Sequence, residues 1–374
     1  MGETRLRPQS STVEKSSRII VKSIGRANAA VIRAVKQIVP GLDKDIASLL
    51  YQAPSELVKD VESNLAQKLA SHLKEAGLDV SVDDGTEKIV PGDSDHEVAL
   101  CIKDIKLMPL VIKEVAEFLG CDIIAARKIA CSVPSVLIGN ISKATAQALK
   151  NRFQDINVDV NISHATSAKY DIITWSDSPR LQNSICEIMG IEYAQNKSNE
   201  FVIALNKNHN EVNGMYEKLA RVGAKIQVCN RDFQRYDIRL DKATDCESMR
   251  SYLENEAGIP QKVISQIFQR LPIIIHSDIT HDAMEQALQK LNSIGAKTTG
   301  EPLAFQYYTL NVERVANRPE AVNVLTTIGD ISETEAVTAL ANVAQIPKRY
   351  TKTAALWLRH ELKKTGTIVG VQAL

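Results

Sequence analysis

A run of basic residues near the end of the chain stands out as a candidate for ligand chemistry. Residues 347–364 read PKRYTKTAALWLRHELKK, with six Lys or Arg, one Glu, and the interleaved aromatics Tyr350 and Trp357. Basic side chains mixed with aromatic rings can follow a nucleic-acid backbone. The candidate nucleic-acid contacts are Lys348, Arg349, Lys352, Arg359, Lys363 and Lys364. The alternative, which we favour, is a solvated helix with Lys residues at its C-terminal end, so a nucleic-acid partner is not expected.

The histidines and cysteines do not form a metal-ligand pattern. His276 and His281 are five residues apart, with Asp278 and Asp282 nearby. Such a group could hold a metal, but a strand followed by a helix capped by Asp278 or Thr280 explains the spacing more simply. The six Cys form no C-x-x-C, and most lie beside apolar residues. We expect no metal site, and small buried thiols in a reducing cytoplasm.

No catalytic or nucleotide-binding motif occurs in the chain. The patterns G-x-x-x-x-G-K-[ST], G-x-G-x-x-G, G-x-S-x-G and H-E-x-x-H are all absent. Because an enzyme needs a converging set of polar groups, these absences predict a non-enzymatic protein without a cofactor. The alternative is an enzyme with its active site between repeats, near Asp177, His209 and Asp241.

Composition is that of an ordinary globular protein. The 374 residues include 45 Lys plus Arg and 45 Asp plus Glu; 44% are hydrophobic and 24% are charged. A net charge of zero gives no global field for nucleic acid or an anionic membrane. The apolar runs are too short to span a bilayer, and the start MGETRLRPQSSTVEKSS has no apolar segment typical of a secretory signal. A cytoplasmic location is therefore expected.

Internal repetition is the main organisational signal. LASHLKEAGLDVSV, residues 69–82, has the pattern of a helix end, a Gly cap and a strand, and it returns at 149–162, 215–228, 287–300 and 358–371. Gly or Asn at a helix end takes a left-handed conformation. The equivalent anchor residues are Gly77, Asn157, Gly223, Gly295 and Gly366. The residues four positions earlier are apolar, as one helix face requires: Leu73, Phe153, Leu219, Leu291 and Leu362.

The copies predict an α/β chain of the α+β type, with five tandem small βααβαβ units. Each unit is expected to be a short antiparallel sheet with helices on one face. The predicted organisation is a polar tail at 1–17, repeat 1 at 18–83, an acidic linker at 84–97, repeat 2 at 98–163, a degenerate repeat 3 at 169–230, repeat 4 at 235–300 and repeat 5 at 304–374. Repeat 3 should lose or shorten its second helix, because only IEYAQNKSNE separates Gly190 from Phe201.

The first copy also carries a family resemblance. It reads AVIRAVKQIVPGL, then Gln-Ala-Pro, then KLASHLKEAGLDVSV. In this order of elements it resembles the C-terminal domain of the bacterial ribosomal stalk protein. The first copy matches over almost its whole length, the second well, the fourth and fifth mainly by pattern, and the third loosely. The fold is also similar to that of the Clp protease adaptor.

The resemblance implies a partner-binding surface on the first two helices of a unit. In the stalk family these helices present apolar and basic side chains to translational GTPases. The matching positions are Ile32, Arg33 and Lys36 in repeat 1, and Ile112 and Lys113 in repeat 2. Val31 also matches, but its i+4 neighbour Val35 indicates an inward stripe. We predict a scaffold or adaptor that binds protein partners, such as a GTPase or another nucleotide-driven protein, since linked and diverged copies allow several contacts.

Overall fold

The computed structural model describes residues 16–39, 41–85, 88–175, 178–190 and 200–374. Within these ranges the chain forms fourteen α-helices, two 3₁₀ helices and fourteen strands, grouped in five small antiparallel sheets. The predicted α+β class of small repeat units is confirmed. No helix in the described ranges is long and apolar enough to cross a membrane.

Repeat 1 has the predicted order of elements. It consists of β1 (Ser16–Ser23), α1 (Ala30–Lys36), α2 (Asp43–Tyr51), β2 (Ser55–Glu62), α3 (Ser63–Glu75) and β3 (Asp79–Asp83). The first strand lies at the centre of its sheet and pairs antiparallel with both others. It begins at Ser16, within the residues expected to be a polar tail.

Repeats 2 and 4 follow the same order and the same sheet topology. Repeat 2 consists of β4 (His96–Cys101), a 3₁₀ helix (Ile105–Leu107), α4 (Met108–Leu119), α5 (Ile123–Cys131), β5 (Ser135–Ile141), α6 (Lys143–Gln154) and β6 (Asp159–His164). Repeat 3 consists of β7 (Tyr170–Trp175), α7 (Pro179–Met189), β8 (Glu200–Lys207), α8 (His209–Arg221) and β9 (Lys225–Asn230). The expected loss of its second helix concerns 191–199, which lie outside the described residues. Repeat 4 consists of β10 (Tyr236–Lys242), α9 (Glu247–Asn255), α10 (Gln261–Gln269), β11 (Ile273–Ile279), α11 (His281–Ser293) and β12 (Lys297–Pro302).

Repeat 5 departs from the predicted order, because its second strand is missing. It consists of a 3₁₀ helix (Leu303–Phe305), β13 (Tyr308–Arg314), α12 (Arg318–Thr327), α13 (Glu333–Ala341), α14 (Lys352–Lys364) and β14 (Ile368–Ala373), and its sheet has two strands. Residues 344–350 run beside β13, where the Ile346 N–H donates to the Leu310 carbonyl and the Tyr350 N–H to the Tyr308 carbonyl, both at 2.8 Å. Pro347 lies between them and has no N–H to donate, so only isolated bridges form.

The repeat register is confirmed by the backbone. All five anchors have positive φ: Gly77, Asn157, Gly223, Gly295 and Gly366. The five apolar residues four positions earlier are all buried: Leu73, Phe153, Leu219, Leu291 and Leu362. The helix before each anchor therefore ends at the same register position and buries the same face in every repeat. These helices are α3, α6, α8, α11 and α14.

A second register position is shared by the first four repeats, late in the second strand. Asp60, Asn140, Asn206 and Asp278 have positive φ there, a conformation that Asp and Asn tolerate better than most residues. In repeats 3 and 4 this residue interrupts the strand register as a β-bulge, and a buried aspartate of the first strand accepts a hydrogen bond from its backbone N–H. Asn206 N donates to Asp171 Oδ1 at 2.9 Å, and Asp278 N donates to Asp237 Oδ1 at 3.0 Å.

The chain divides into two compact units. The first comprises Met1–His96, Ala116–Cys121 and Gly139–Asp155. The second comprises Glu97–Val115, Asp122–Ile138 and Ile156–Leu374. The division passes through repeat 2, so α6 belongs to the compact unit of repeat 1, whereas α5 belongs to that of repeats 3 to 5.

In the first unit, α6 is joined to repeat 1 by polar and aromatic contacts. Arg152 Nη1 donates to the Ala27 carbonyl at 2.9 Å, and Arg26 pairs with Asp155. The Arg152 guanidinium also lies 5.6 Å from the centroid of the Phe118 ring.

Candidate functional site

The first predicted partner surface, on α1, has buried and exposed sides. Val31 and Val35 are buried, as expected of an inward stripe. Ile32 is half-buried, and Arg33 and Lys36 are exposed. The two basic residues of repeat 1 therefore lie at the surface, with part of Ile32 beside them.

The corresponding prediction for α4 needs a correction. Ile112 is only 4% exposed, so its side chain belongs to the core and is not available to a partner. Met108, Val111 and Val115 are buried as well, and their spacing makes the inward face of α4 wider than a single stripe. Lys113 is exposed and is the one predicted position of repeat 2 that lies at the surface.

An apolar surface that the resemblance did not indicate lies at the start of α5. Ile123 and Ile124 are 58% and 56% exposed. They follow the N-cap Asp122, whose side chain accepts from the Ala125 N–H at 2.7 Å. The buried residues of this helix are Ala126 and Ala130, so Ile124 points away from the core. Two adjacent apolar residues directly after an N-cap Asp, ahead of a face built of alanines, were the signal available in the sequence.

Basic side chains accompany these isoleucines. Arg127 and Lys128 follow Ile123 and Ile124 by four residues, on the same sides of α5. The pKa of the Asp330 carboxyl is lowered by a hydrogen bond from Lys348 and further by the charges of Lys348, Arg127 and Lys128, so the two cations of α5 act on the carboxylate that Lys348 binds. Lys348 Nζ lies 2.6 Å from Asp330 Oδ2. We call Ile123, Ile124, Arg127, Lys128 and Lys348 the apolar–basic surface.

The candidate nucleic-acid residues do not form a continuous phosphate-binding face. Three of them are paired with carboxylates: Lys348 with Asp330, Lys352 with Asp237, and Lys364 with Glu361. The other three, Arg349, Arg359 and Lys363, are exposed. Tyr350 and Trp357 are buried, so their rings cannot stack on bases, and the aromatic part of that interpretation is wrong.

Lys352 takes part in a polar network around the buried carboxylate of Asp237. Lys352 Nζ donates to Asp237 Oδ1 at 2.9 Å, to Asp237 Oδ2 at 2.7 Å and to Ser277 Oγ at 2.6 Å. Ser277 Oγ in turn donates to Asp237 Oδ1 at 2.8 Å. The three bonds use all three N–H donors of a protonated lysine. A lysine that acts as a catalytic base must instead be neutral and have a free lone pair, so this arrangement does not suit catalysis. The arrangement is that of a structural ion pair between repeats 4 and 5.

The residues suggested for an inter-repeat active site are engaged in separate contacts. Asp241 accepts hydrogen bonds from Arg239 and Thr299, which lower the pKa of its carboxyl. The His209 ring lies against Tyr170, with 5.9 Å between centroids. Asp177 lies outside the described residues. Each of the two described residues is thus held within its own repeat.

The histidine pair of repeat 4 has partners other than a metal. Of the two caps that the sequence left open, Asp278 and Thr280, the structure uses Thr280, whose Oγ1 accepts from the Ala283 N–H at the start of α11. His276 Nε2 lies 2.8 Å from the Tyr252 hydroxyl, and burial lowers the pKa of its imidazole. The His281 ring packs against Tyr236. Among the described residues, no group of three or more His, Cys, Asp or Glu is arranged to hold a metal ion.

Repeat 5 contacts repeat 2 as well as repeat 4. Helix α14 packs against the 3₁₀ helix Ile105–Leu107, and Thr351 Oγ1 donates to the Cys131 carbonyl at the end of α5. These contacts lie within the second compact unit. They hold α5 and repeat 5 together although repeats 2 and 5 are far apart in the chain. No family model, curated protein or solved structure matches this chain.

Proposed function

We propose that this chain is a non-enzymatic scaffold or adaptor whose repeats bind protein partners through exposed helices. The observation that carries the proposal is the apolar–basic surface on α5. Two exposed isoleucines, followed one turn later by Arg127 and Lys128 on the same helix, offer a partner both apolar burial and charge. Such a surface suits an amphipathic helix whose apolar residues are flanked by Asp or Glu.

The class of partner follows from the resemblance to the stalk domain. It implies a GTPase or another nucleotide-driven protein, with contacts on the first two helices of a repeat. The location of the apolar–basic surface on the second helix of repeat 2, and of Arg33 and Lys36 on the first helix of repeat 1, supports this implication. Six free cysteines support action in the cytoplasm, where thiols remain reduced.

The test is affinity capture from native cells, with matched variants and mass spectrometry. Ile123→Ser with Ile124→Ser should abolish recovery of a specific partner without loss of folding, because both side chains are exposed. Arg127→Gln with Lys128→Gln should weaken recovery most at low salt, since exposed charges are screened by ions. Lys363→Gln with Lys364→Gln, an adjacent basic pair on α14, is the control and should change nothing.

A further pair of variants asks whether repeat 1 contributes. Arg33→Glu with Lys36→Glu should leave the circular dichroism spectrum native, because both residues are exposed, and should reduce capture in a salt-sensitive way. Recovery of the same proteins by wild type and by every surface variant would refute the proposal.

A further inference from the structure

A cavity of about 280 Å³ opens within the second compact unit where repeats 2, 4 and 5 meet. The end of β4, the segment after α5, the start of α14 and the residues Arg235, Ser277 and Asp278 line it. This volume lies just below the roughly 300–1,000 Å³ that small-molecule sites commonly enclose, so the cavity suits only a small ligand.

Four charged residues line the cavity, and two of them form ion pairs with carboxylates of the protein. Lys103 Nζ lies 2.6 Å from Asp159 Oδ2, and Lys352 Nζ lies 2.7 Å from Asp237 Oδ2. The remaining two are Arg235 and Asp278, one cation and one anion. The charge of Arg235 acts on the Asp278 carboxyl, yet no ion pair joins these two described residues. Both side chains line the cavity and can therefore contact a ligand inside it.

Arg235 is held in place by the backbone. Its Nη1 donates to the Asp232 carbonyl at 3.2 Å and to the Gln234 carbonyl at 3.0 Å. Within the described chain, Nε and Nη2 of Arg235 have no acceptor. A guanidinium fixed at one nitrogen keeps donors for a carboxylate, which it can bind at two points.

Asp278 carries a charge that its backbone position does not require. Its φ is 61°, and repeats 2 and 3 use Asn140 and Asn206 at the same register position. In repeat 1 the equivalent Asp60 accepts a hydrogen bond from Ser16 Oγ at 3.2 Å. The Asp278 carboxylate accepts no hydrogen bond from any described residue, and loss of surrounding water raises its pKa. Asp278 lines the cavity and is solvent-exposed, so its carboxylate is accessible to a cationic group of a ligand.

We propose that this cavity binds a small zwitterion of the α-amino acid class. The ligand carboxylate binds the guanidinium of Arg235, and its ammonium group binds the carboxylate of Asp278. Val133, Leu303 and Leu356 on the cavity wall receive an aliphatic side chain. This site is separate from the apolar–basic surface and does not depend on the proposed scaffold role.

Isothermal titration calorimetry of the full chain tests the proposal, with the common L-α-amino acids as probes. For an aliphatic member such as L-leucine, we expect about tenfold tighter binding than for 4-methylpentanoate or isopentylamine, because each analogue lacks one of the two charge-assisted contacts. Absence of binding by every amino acid in the panel overturns the proposal. Equal affinity for an amino acid and its two singly charged analogues also overturns it.

Asp278→Asn is the decisive variant, because asparagine already occupies this position in two other repeats. It should weaken binding of the amino acid about tenfold and leave binding of 4-methylpentanoate undiminished. Asp60→Asn, the same change outside the cavity, is the control and should have no effect. Unchanged affinity in Asp278→Asn contradicts the assignment.

Arg235→Lys provides a second measurement, because lysine keeps the positive charge but cannot bind a carboxylate at two points as the planar guanidinium does. It should weaken the amino acid and 4-methylpentanoate together and leave isopentylamine unaffected. A variant that weakens all three probes equally would point to a change in the cavity itself and overturn the role given to Arg235.

Discussion

Lys352 of repeat 5 lies 2.7 Å from Asp237 of repeat 4, and that carboxylate is only 1% exposed. The two residues are far apart in the chain, yet the pair also binds Ser277 and the backbone N–H of Asp278. One buried carboxylate thus connects the bulge of one sheet to the helix of the next repeat. In repeat 3 the equivalent Asp171 has a similar role, accepting from Asn206 N and from Arg231 Nε at 2.8 Å.

Asp237→Ala is expected to lower the free energy of unfolding of the second compact unit by about 3 kcal/mol, because it leaves the half-buried Lys352 without its counter-ion. Asp237→Asn should cost less, since its side-chain oxygen still accepts from the bulge N–H. Both tryptophans, Trp175 and Trp357, belong to this unit, so urea denaturation followed by fluorescence reports it.

The cycle formed with Lys352→Met separates the pair from its neighbours. Because removal of either partner leaves the other uncompensated, the double variant should be less destabilised than the sum of the two single variants. Strict additivity would show that the two groups do not interact energetically.

Acid should remove the contribution of Asp241. Hydrogen bonds from Thr299 and Arg239 lower the pKa of its carboxyl below the ordinary 3.8. A carboxyl with a depressed folded-state pKa stabilises the fold above its unfolded pKa and loses that contribution as pH falls through the folded value. The unfolding free energies of wild type and Asp241→Asn should differ by about 2 kcal/mol near neutral pH and converge below pH 3.8. A constant difference across that range would contradict the shift.

Gly77 and Gly223 form a matched pair for testing the helix-end position. Both have positive φ, which costs a residue with a Cβ about 1–2 kcal/mol. A Cβ at Gly77 would also lie 2.8 Å from the Ala27 nitrogen, whereas a Cβ at Gly223 would have no atom within 4 Å. Gly77→Ala should therefore lose clearly more stability than Gly223→Ala in urea denaturation followed by circular dichroism. Equal losses would show that the contact with Ala27 relaxes easily.

The cysteines should react with iodoacetamide in a defined order, because the thiolate is the nucleophile. A hydrogen bond from Ser248 and two from backbone N–H groups lower the pKa of the Cys246 thiol. Burial raises the pKa of Cys131 to about 12 and that of Cys229 further still. Peptide mass spectrometry over a time course at neutral pH should find Cys246 labelled first and Cys131 and Cys229 last. Cys246→Ser should remove the fast phase; early labelling of Cys229 in native protein would contradict its burial.

Local sequence patterns were sufficient for the repeat architecture. A Gly or Asn with an apolar residue four positions earlier indicates both where a helix ends and which face is buried. The helix ends at Gly77 and Asn157 and the burial of Leu73 and Phe153 could therefore be predicted from the sequence alone. The N-cap of α11 could be narrowed to Asp278 or Thr280 for the same reason, since capping involves residues three apart, and the structure uses Thr280.

Predictions that depended on the width of a core were less successful. Ile112 was assigned to a surface because one stripe of α4 was expected to be buried, but the core covers two adjacent stripes.

The second strand of repeat 5 was expected from the other copies, but its pairing is broken at Pro347, and residues 344–350 pair with β13 only at isolated positions.

The sequence by itself determined that the chain is a series of small α+β units, because helix caps, helix faces and strands are specified by residues a few positions apart. Only the tertiary structure decided which residues of different repeats come together. The apolar–basic surface, the Lys352–Asp237 pair and the cavity lined by Arg235 and Asp278 all join residues from separate segments of the chain. Their contacts depend on how whole elements pack, and no local periodicity encodes that packing.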